Sequence, residues 1–219
     1  YKFIKGDICD AELVKQIFND FKIDGVINFA AETHVDNSIK GPDVFIKTNI
    51  NGVFNLLNNA YKFWMNNPFE VKERYRLSRF HQISTDEVYG SIIDGSFNEN
   101  SKYSPNSPYS SSKASGDLIV RSYNKTFGLN TTISISSNNF GINQHNEKLI
   151  PMVVNCLIHN KPIPIYGDGM NIRDWIDVND HCNAIDMIYN KSKPGESYNV
   201  GAGNELTNLM IIDLVENII

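Results

Sequence analysis

The sequence predicts an α/β fold, a doubly wound parallel sheet with a smaller C-terminal portion. Two observations carry that expectation. Strand-like and helix-like segments alternate along the chain, the pattern of repeated βαβ units. Polar residues able to do chemistry follow three of the strand candidates, at 30–33, 85–87 and 137–139. Ligands in such sheets bind at the carboxyl ends of strands.

Residues 2–6 read as the first strand. Asp10 is a favourable N-cap, and Leu13, Val14, Ile17, Phe18 and Phe21 recur behind it at helical spacing. Residues 26–31 are a short apolar run of the kind buried on both faces. A long helix is expected beyond Pro42, carrying Phe45, Ile46, Val53, Leu56, Leu57 and Tyr61. Residues 66–78 are polar and read as a surface excursion, and 80–84 form the next strand. Ser107 caps a helix with Pro108 in its first position, which proline favours. Gly128 stops that helix after Phe127, and a strand follows at 131–136. Beyond residue 140 the alternation is less regular. Helices are expected at 149–159, from Asn179 and from Asn208, with strands near 163–166, 174–178 and 197–200.

Bulk properties exclude several classes. A net charge of −5 argues against a general nucleic-acid binder. Three cysteines, Cys9, Cys156 and Cys182, are odd in number and far apart, so they read as free thiols in a reducing cytoplasm. The five histidines show no metal-ligand spacing, and no metal is expected. No apolar run reaches the ~18 residues of a membrane span.

The densest chemical signal is Ser84-Thr85-Asp86-Glu87 followed by Tyr109-Ser110-Ser111-Ser112-Lys113. Tyr and Lys four apart share a helix face. An ammonium beside a phenol favours the phenolate, so a group titrating near ~10 becomes a base closer to neutrality. Thr85 is placed to share a substrate oxygen with Tyr109, and Asp86 and Glu87 supply an acid and a base. A lone Tyr-x-x-x-Lys arises often by chance, and adjacent carboxylates are usually solvated loop residues. The whole set, after a buried strand, is far more specific.

On these residues the chain resembles the extended short-chain dehydrogenase/reductase superfamily, and within it the nucleotide-sugar 4,6-dehydratases. The similar stretches are GDICD at 6–10, NFAAETHVDNSI at 28–39, ISTDEVYG at 83–90 and SPYSSSK at 107–113. SSNNFG at 136–141, EKLIP at 147–151 and PIYGDGMNIRDWIDVNDH at 164–181 follow in the family's order. The similarity spans nearly all 219 residues. Absent is the glycine-rich turn that meets a dinucleotide's pyrophosphate in Rossmann folds. The chain therefore reads as the middle of a longer protein. Residues 1–140 would be a dinucleotide-binding domain without its first strands and glycine turn, and 141–219 mostly an incomplete substrate-binding portion.

The resemblance implies NAD as cofactor, dTDP-glucose as substrate and a homodimer. Asp7 and Ile8 would border the adenine, Phe29, Ala30, Ala31, Glu32 and Thr33 would line the dinucleotide, and Thr48 would sit nearby. Tyr109 and Lys113 would hold the nicotinamide ribose, with Asn139 beside the nicotinamide. Thr33, Thr85, Asn138, Lys148, Leu149, Pro164, Ile165, Tyr166, Arg173 and Asn208 would contact the nucleotide sugar. The implied reaction is a lyase reaction: oxidation at C4, loss of water across C5–C6, and hydride return to C6. Tyr109 would act at C4, Glu87 as base at C5 and Asp86 as acid at the C6 hydroxyl.

Three alternatives stay open on the sequence. A UDP-glucose 4,6-dehydratase uses the same chemistry. A UDP-hexose 4-epimerase shares the Tyr-Lys pair but needs neither a C5 base nor a C6 acid. An inactive nucleotide-sugar-binding fragment fits the absent glycine turn. Arg173 also has a plainer reading, an ion pair with Asp174 or Asp177.

Overall fold

The computed structural model describes residues 1–165 and 167–219; Tyr166 lies outside the described residues. In chain order the elements are α1 (Ala11–Phe21), β1 (Gly25–Asn28), α2 (Val35–Lys40), α3 (Asp43–Ile46), α4 (Val53–Trp64), β2 (Met65–Asn67) and β3 (Glu70–Val71). There follow β4 (Arg79–Thr85), α5 (Pro108–Phe127), β5 (Thr131–Ser136), β6 (Asn138–Phe140), α6 (Leu149–Ile158) and β7 (Ile172–Asp177). The chain ends with α7 (Val178–Lys191), β8 (Ser197–Val200), β9 (Glu205–Thr207) and α8 (Asn208–Glu216). It divides into two compact units, 1–135 with 187–199, and 136–186 with 200–219.

The first unit is built on a sheet of order β1-β4-β5-β8. β1 and β4 run parallel in the register Gly25↔Arg79 to Asn28↔Gln82. α4 lies against α1 and α5, and the core between helices and sheet holds Leu57, Trp64, Phe80, Val120, Ile133 and Ile135. Trp64 is satisfied as it is buried, its Nε1 donating to Ile23 O at 2.7 Å.

β4 and β5 are buried almost throughout, yet they are not purely apolar. His81 bonds Thr132 Oγ1 (2.9 Å) and Ser134 Oγ (3.1 Å) through its two ring nitrogens. Asn28 Nδ2 donates to Gln82 Oε1 across β1 and β4 at 2.9 Å. Buried polar side chains survive here because each is paired with another.

α1 forms as expected: Asp10 accepts from Leu13 N, and Val14 and Phe18 are buried while Phe21 stays exposed. The strand expected at 2–6 does not form. A strand exists only through its ladder partners, and these residues pair with no strand among the described residues; Tyr1 and Phe3 are exposed. The apolar run at 26–31 is strand only as far as Asn28. The long helix after Pro42 is interrupted, since Lys47–Gly52 widens into a π turn between α3 and α4. π turns recur at functional sites. The polar excursion contains a small hairpin, β2–β3.

The second unit has a sheet of order β6-β7-β9. β6 is parallel to β7, and β9 is antiparallel to it with Arg173 opposite Leu206. α6 packs on α8. Residues 161–165 are irregular, so no strand forms there.

Candidate active site

β4 delivers the Thr-Asp-Glu motif to its own carboxyl end. Thr85 closes the strand and caps a 3-10 turn over Asp86–Tyr89, its Oγ1 accepting from Glu87 N at 3.4 Å. The same hydroxyl contacts Asp86 Oδ1 at 3.3 Å. Gly90 ends the turn at φ 89°, and a Cβ there would come 2.2 Å from Ser104 O. Thr85, Asp86 and Glu87 are all half-buried.

α5 starts where a capping box starts it. Ser107 Oγ accepts from Ser110 N, and Ser110 Oγ in return accepts from Ser107 N, both at 3.0 Å. With the first turn pinned, Tyr109 and Lys113 fall one turn apart, both buried. The hydroxyls of Tyr109 and Thr85 are hydrogen-bonded. A phenol, an alcohol and two carboxylates are thus gathered at one strand end.

The electrostatics differ from the expectation that Lys113 acidifies Tyr109. Burial pushes the Tyr109 phenol well above its ordinary value, and the negative charge of Glu87 pushes it the same way; the bond from Thr85 works against them. Lys113 Nζ instead donates to Ile83 O at 2.6 Å. Burial drives the Lys113 ammonium down, opposed by the charge of Asp117. As the site stands, Tyr109 is a protonated phenol. Burial first, and the charge of Glu87 after it, hold the phenol in that form, while Lys113 is turned toward the backbone.

The other expected residues of the first unit lie nearby in the chain's architecture. Phe29 to Thr33 continue β1 beyond its carboxyl end, with Phe29 and Thr33 exposed and Ala31 and Glu32 half-buried. That segment is tied to the helices by Asn49, which sequence reasoning missed. Asn49 Oδ1 accepts from Glu32 N (2.9 Å), and its Nδ2 donates to Glu32 O (3.0 Å) and Ser112 Oγ (2.8 Å). It sits in the π turn beside Thr48. Gly116 permits the close approach, since a Cβ on it would lie 2.6 Å from Asn49 O. Little in the sequence signals it, since Asn49 stands among other polar residues, Lys47, Thr48 and Asn51.

Asp7 accepts from Cys9 N (2.9 Å) and from Lys47 Nζ (3.2 Å). Those two bonds, the backbone one foremost, hold its carboxyl below the usual range. Asn55 Nδ2 donates to Ile8 O at 2.7 Å. Asp7 and Ile8 line an open cleft of about 350 Å³ with Leu13, Val14 and Ile27.

In the second unit, Asn138 and Asn139 lie on β6. Asn139 is held from all sides: its Nδ2 donates to Ser137 O (3.1 Å), its carbonyl accepts from Gln144, and His181 Nδ1 meets its Oδ1 at 2.6 Å. His181 was not foreseen; burial keeps it toward the neutral form. Arg173 is exposed on β7 and donates to Ile172 O. Asp174 is engaged elsewhere, by Ala202 N (2.8 Å) and Asn204 N (2.6 Å). Lys148 and Leu149 open α6, Pro164 and Ile165 are exposed in the irregular segment, and Asn208 opens α8 after the Thr207 cap. The expectation for Tyr166 lies outside the described residues. Among the described residues no cluster of side chains is arranged to hold a metal ion.

A parallel sheet that presents Thr-Asp-Glu and Tyr-x-x-x-Lys at one strand end defines a class, the nucleotide-sugar-modifying short-chain dehydrogenase/reductases. A family model described as GDP-mannose 4,6 dehydratase matches residues 1–218, and the chain belongs to that family. It is 44% identical over 216 residues to a probable dTDP-glucose 4,6-dehydratase of Sinorhizobium fredii, covering 98% of this chain and 61% of the relative. It is 45% identical over 214 residues to the dTDP-glucose 4,6-dehydratase of Haemophilus influenzae, covering 97% of this chain and 62% of that one. The crystal structure of DesIV, a dTDP-glucose 4,6-dehydratase of Streptomyces venezuelae with NAD and TYD bound, superposes with a TM-score of 0.90. Its sequence is 41% identical, and the match covers 99% of this chain and 63% of DesIV. The chain thus spans a little over three-fifths of the length of these relatives.

Proposed function

We propose that the chain is the central part of an NAD-dependent nucleotide-sugar 4,6-dehydratase that converts dTDP-glucose to dTDP-4-dehydro-6-deoxyglucose and water. One observation carries this reading: two half-buried carboxylates, Asp86 and Glu87, share a strand end with the hydrogen-bonded Thr85–Tyr109 pair. A C4 epimerisation needs only the hydroxyl pair. An elimination across C5–C6 needs an acid and a base as well. The names of the relatives support the dTDP-glucose assignment.

The residues present fit the ribose half of a dinucleotide. Tyr109 and Lys113 offer hydroxyl and ammonium donors one helical turn apart, and the exposed residues after β1 leave backbone accessible beside them. Bound NAD would accept a hydride from C4 and later supply one to C6. Tyr109 would first lose its own proton to solvent, a change that an ammonium on Lys113 favours, and as the phenolate would then take the proton of the C4 hydroxyl. Glu87 removes the C5 proton once C4 is a ketone, since the ketone acidifies that position. Asp86 donates a proton to the departing C6 hydroxyl. Glu87 must therefore start ionised and Asp86 protonated.

We assign the dinucleotide contacts implied by the family to Asp7, Ile8, Phe29 to Thr33, Thr48 and Asn139. To Thr33, Thr85, Asn138, Lys148, Leu149, Pro164, Ile165, Arg173 and Asn208 we assign the nucleotide sugar. A homodimer in the cytoplasm is part of the same reading, in keeping with three free cysteines. Among the described residues no helix is long and apolar enough to cross a membrane.

The test is mass spectrometry of dTDP-glucose incubated with NAD and the full-length protein. Loss of one water, with a keto group trapped by borodeuteride, is expected. In Glu87→Gln, C4 oxidation should persist while water loss stops. Unchanged water loss in that variant removes Glu87 from its role. Interconversion of a UDP-hexose at C4 without water loss would make the enzyme an epimerase.

A further inference from the structure

Asp117 lies one helical turn beyond Lys113 on α5, with none of its surface exposed. A buried aspartate is rare unless paired. Ser84 Oγ donates to its Oδ2 at 2.5 Å, and Tyr103 OH donates to the same oxygen at 3.2 Å. Its other oxygen, Oδ1, is buried with no hydrogen-bond partner among the described residues. Arg121 bonds Tyr103 OH (3.2 Å) and Ser197 Oγ (3.1 Å), and its guanidinium lies over the Tyr103 ring at 4.8 Å. The charged and titratable groups around Asp117 are therefore Lys113 and Arg121 from α5, Tyr103 from the preceding loop, and Tyr89 and Tyr109 from the site.

Of the two cations, Lys113 acts more strongly on Asp117 than Arg121 does, and Asp117 is the one charge that opposes the desolvation of Lys113. The coupling is reciprocal. Ser84 connects it to the reacting groups, because the residue that pins Asp117 immediately precedes Thr85 on β4. Among the carboxylates that disfavour the Tyr109 phenolate, Asp117 is the weakest, behind Glu87 and Asp86. It can therefore sustain the ammonium with little penalty at the phenol.

We propose that Asp117 is a positioning residue: its carboxylate is the buried counter-ion that keeps Lys113 an ammonium, while its bond to Ser84 locks α5 onto the end of β4. This rests on the reading of Tyr109 and Lys113 as the working pair. A neutral amine could neither stabilise a Tyr109 phenolate nor offer three donors to a ribose.

The test is a titration of the Lys113 side chain by its 13Cε resonance, assigned from its loss in Lys113→Met, in the full-length protein with and without Asp117→Asn. The apparent pKa of Lys113 should fall by about one unit or more in the variant, as expected when a nearby opposite charge is removed. The dehydration kcat should fall with it while the KM for the sugar holds, and the alkaline limb of its pH profile should move toward neutrality. A purely structural role would lower the melting temperature without moving that limb. If Asp117→Asn does not fold, Ser84→Ala should shift Lys113 in the same direction by less. Unchanged Lys113 titration in the folded variant overturns the proposal. Should the unsubstituted protein release no water from dTDP-glucose, the dehydratase reading fails separately, and the Lys113 titration still decides the role of Asp117.

Discussion

Replacing Asn49 by alanine should loosen the segment after β1 from the helix that carries Tyr109 and Lys113. Asn49 is 2% exposed and makes three hydrogen bonds of 2.8 to 3.0 Å, two to the backbone of Glu32 and one to Ser112. At about 1 kcal/mol for each bond, the loss is roughly 3 kcal/mol. Two features modify that sum. Glu32 is half-buried, so water can partly replace its lost partners. Ser112 is fully buried, but its hydroxyl still donates to Tyr109 O at 2.7 Å, so only an acceptor site is stranded. The expected destabilisation is about 2 to 3 kcal/mol, read from urea unfolding at constant m-value. The same variant should weaken NAD binding, measured calorimetrically, because residues 30–33 lose their anchor. A loss below about 0.5 kcal/mol for Asn49→Ala, the size of an ordinary surface substitution, would refute the clamp.

Three further outcomes follow from the same geometry. Ser107→Ala removes one half of the capping box and should cost about 1 kcal/mol by thermal or urea unfolding, with lower activity because Tyr109 lies in the turn it pins. Gly90→Ala forces a side chain onto a backbone at φ 89°, 2.2 Å from Ser104 O; a loss of at least 1 kcal/mol is expected, and a neutral result would mean the Asp86–Tyr89 turn readily moves. Burial raises the Asp117 carboxyl to about 6 from 3.8, so the native state holds a proton that the unfolded chain has released. Between those values stability falls as pH rises, by an Asp117 contribution of roughly 3 kcal/mol. The stability difference between the unsubstituted protein and Asp117→Asn should therefore change by that order between pH 4 and pH 6. A constant difference would show that Asp117 titrates normally.

The local signals in this sequence were the most legible. Asp10, Ser107, Pro108 and Gly128 act on the backbone within a turn, so the starts of α1 and α5 and the end of α5 could be read directly. The Thr-Asp-Glu and Tyr-x-x-x-Lys motifs were visible because each sits just beyond or within an element bounded by such signals. What could not be read depended on partners distant in the chain. The strand expected at 2–6 has a suitable composition but no ladder. β6 and β9 are short and polar, and exist through β7. Asn49 looks like one more polar residue beside Thr48 and Asn51 until Glu32 and Ser112 are seen around it. Asp117 looks like a solvated helix aspartate, although its spacing from Lys113 was the available clue.

The sequence alone determined which residues carry chemistry and in what order the α/β units follow, because capping, periodicity and motif spacing are properties of a few neighbouring residues. Only the tertiary structure decided their charge states. Whether Tyr109 is a phenol, where the Lys113 ammonium points and which carboxylate balances it depend on burial and on the field of groups brought in from β4, α5 and the loop before it. Desolvation and charge–charge energies scale with distance in space, and distance along the chain does not report it.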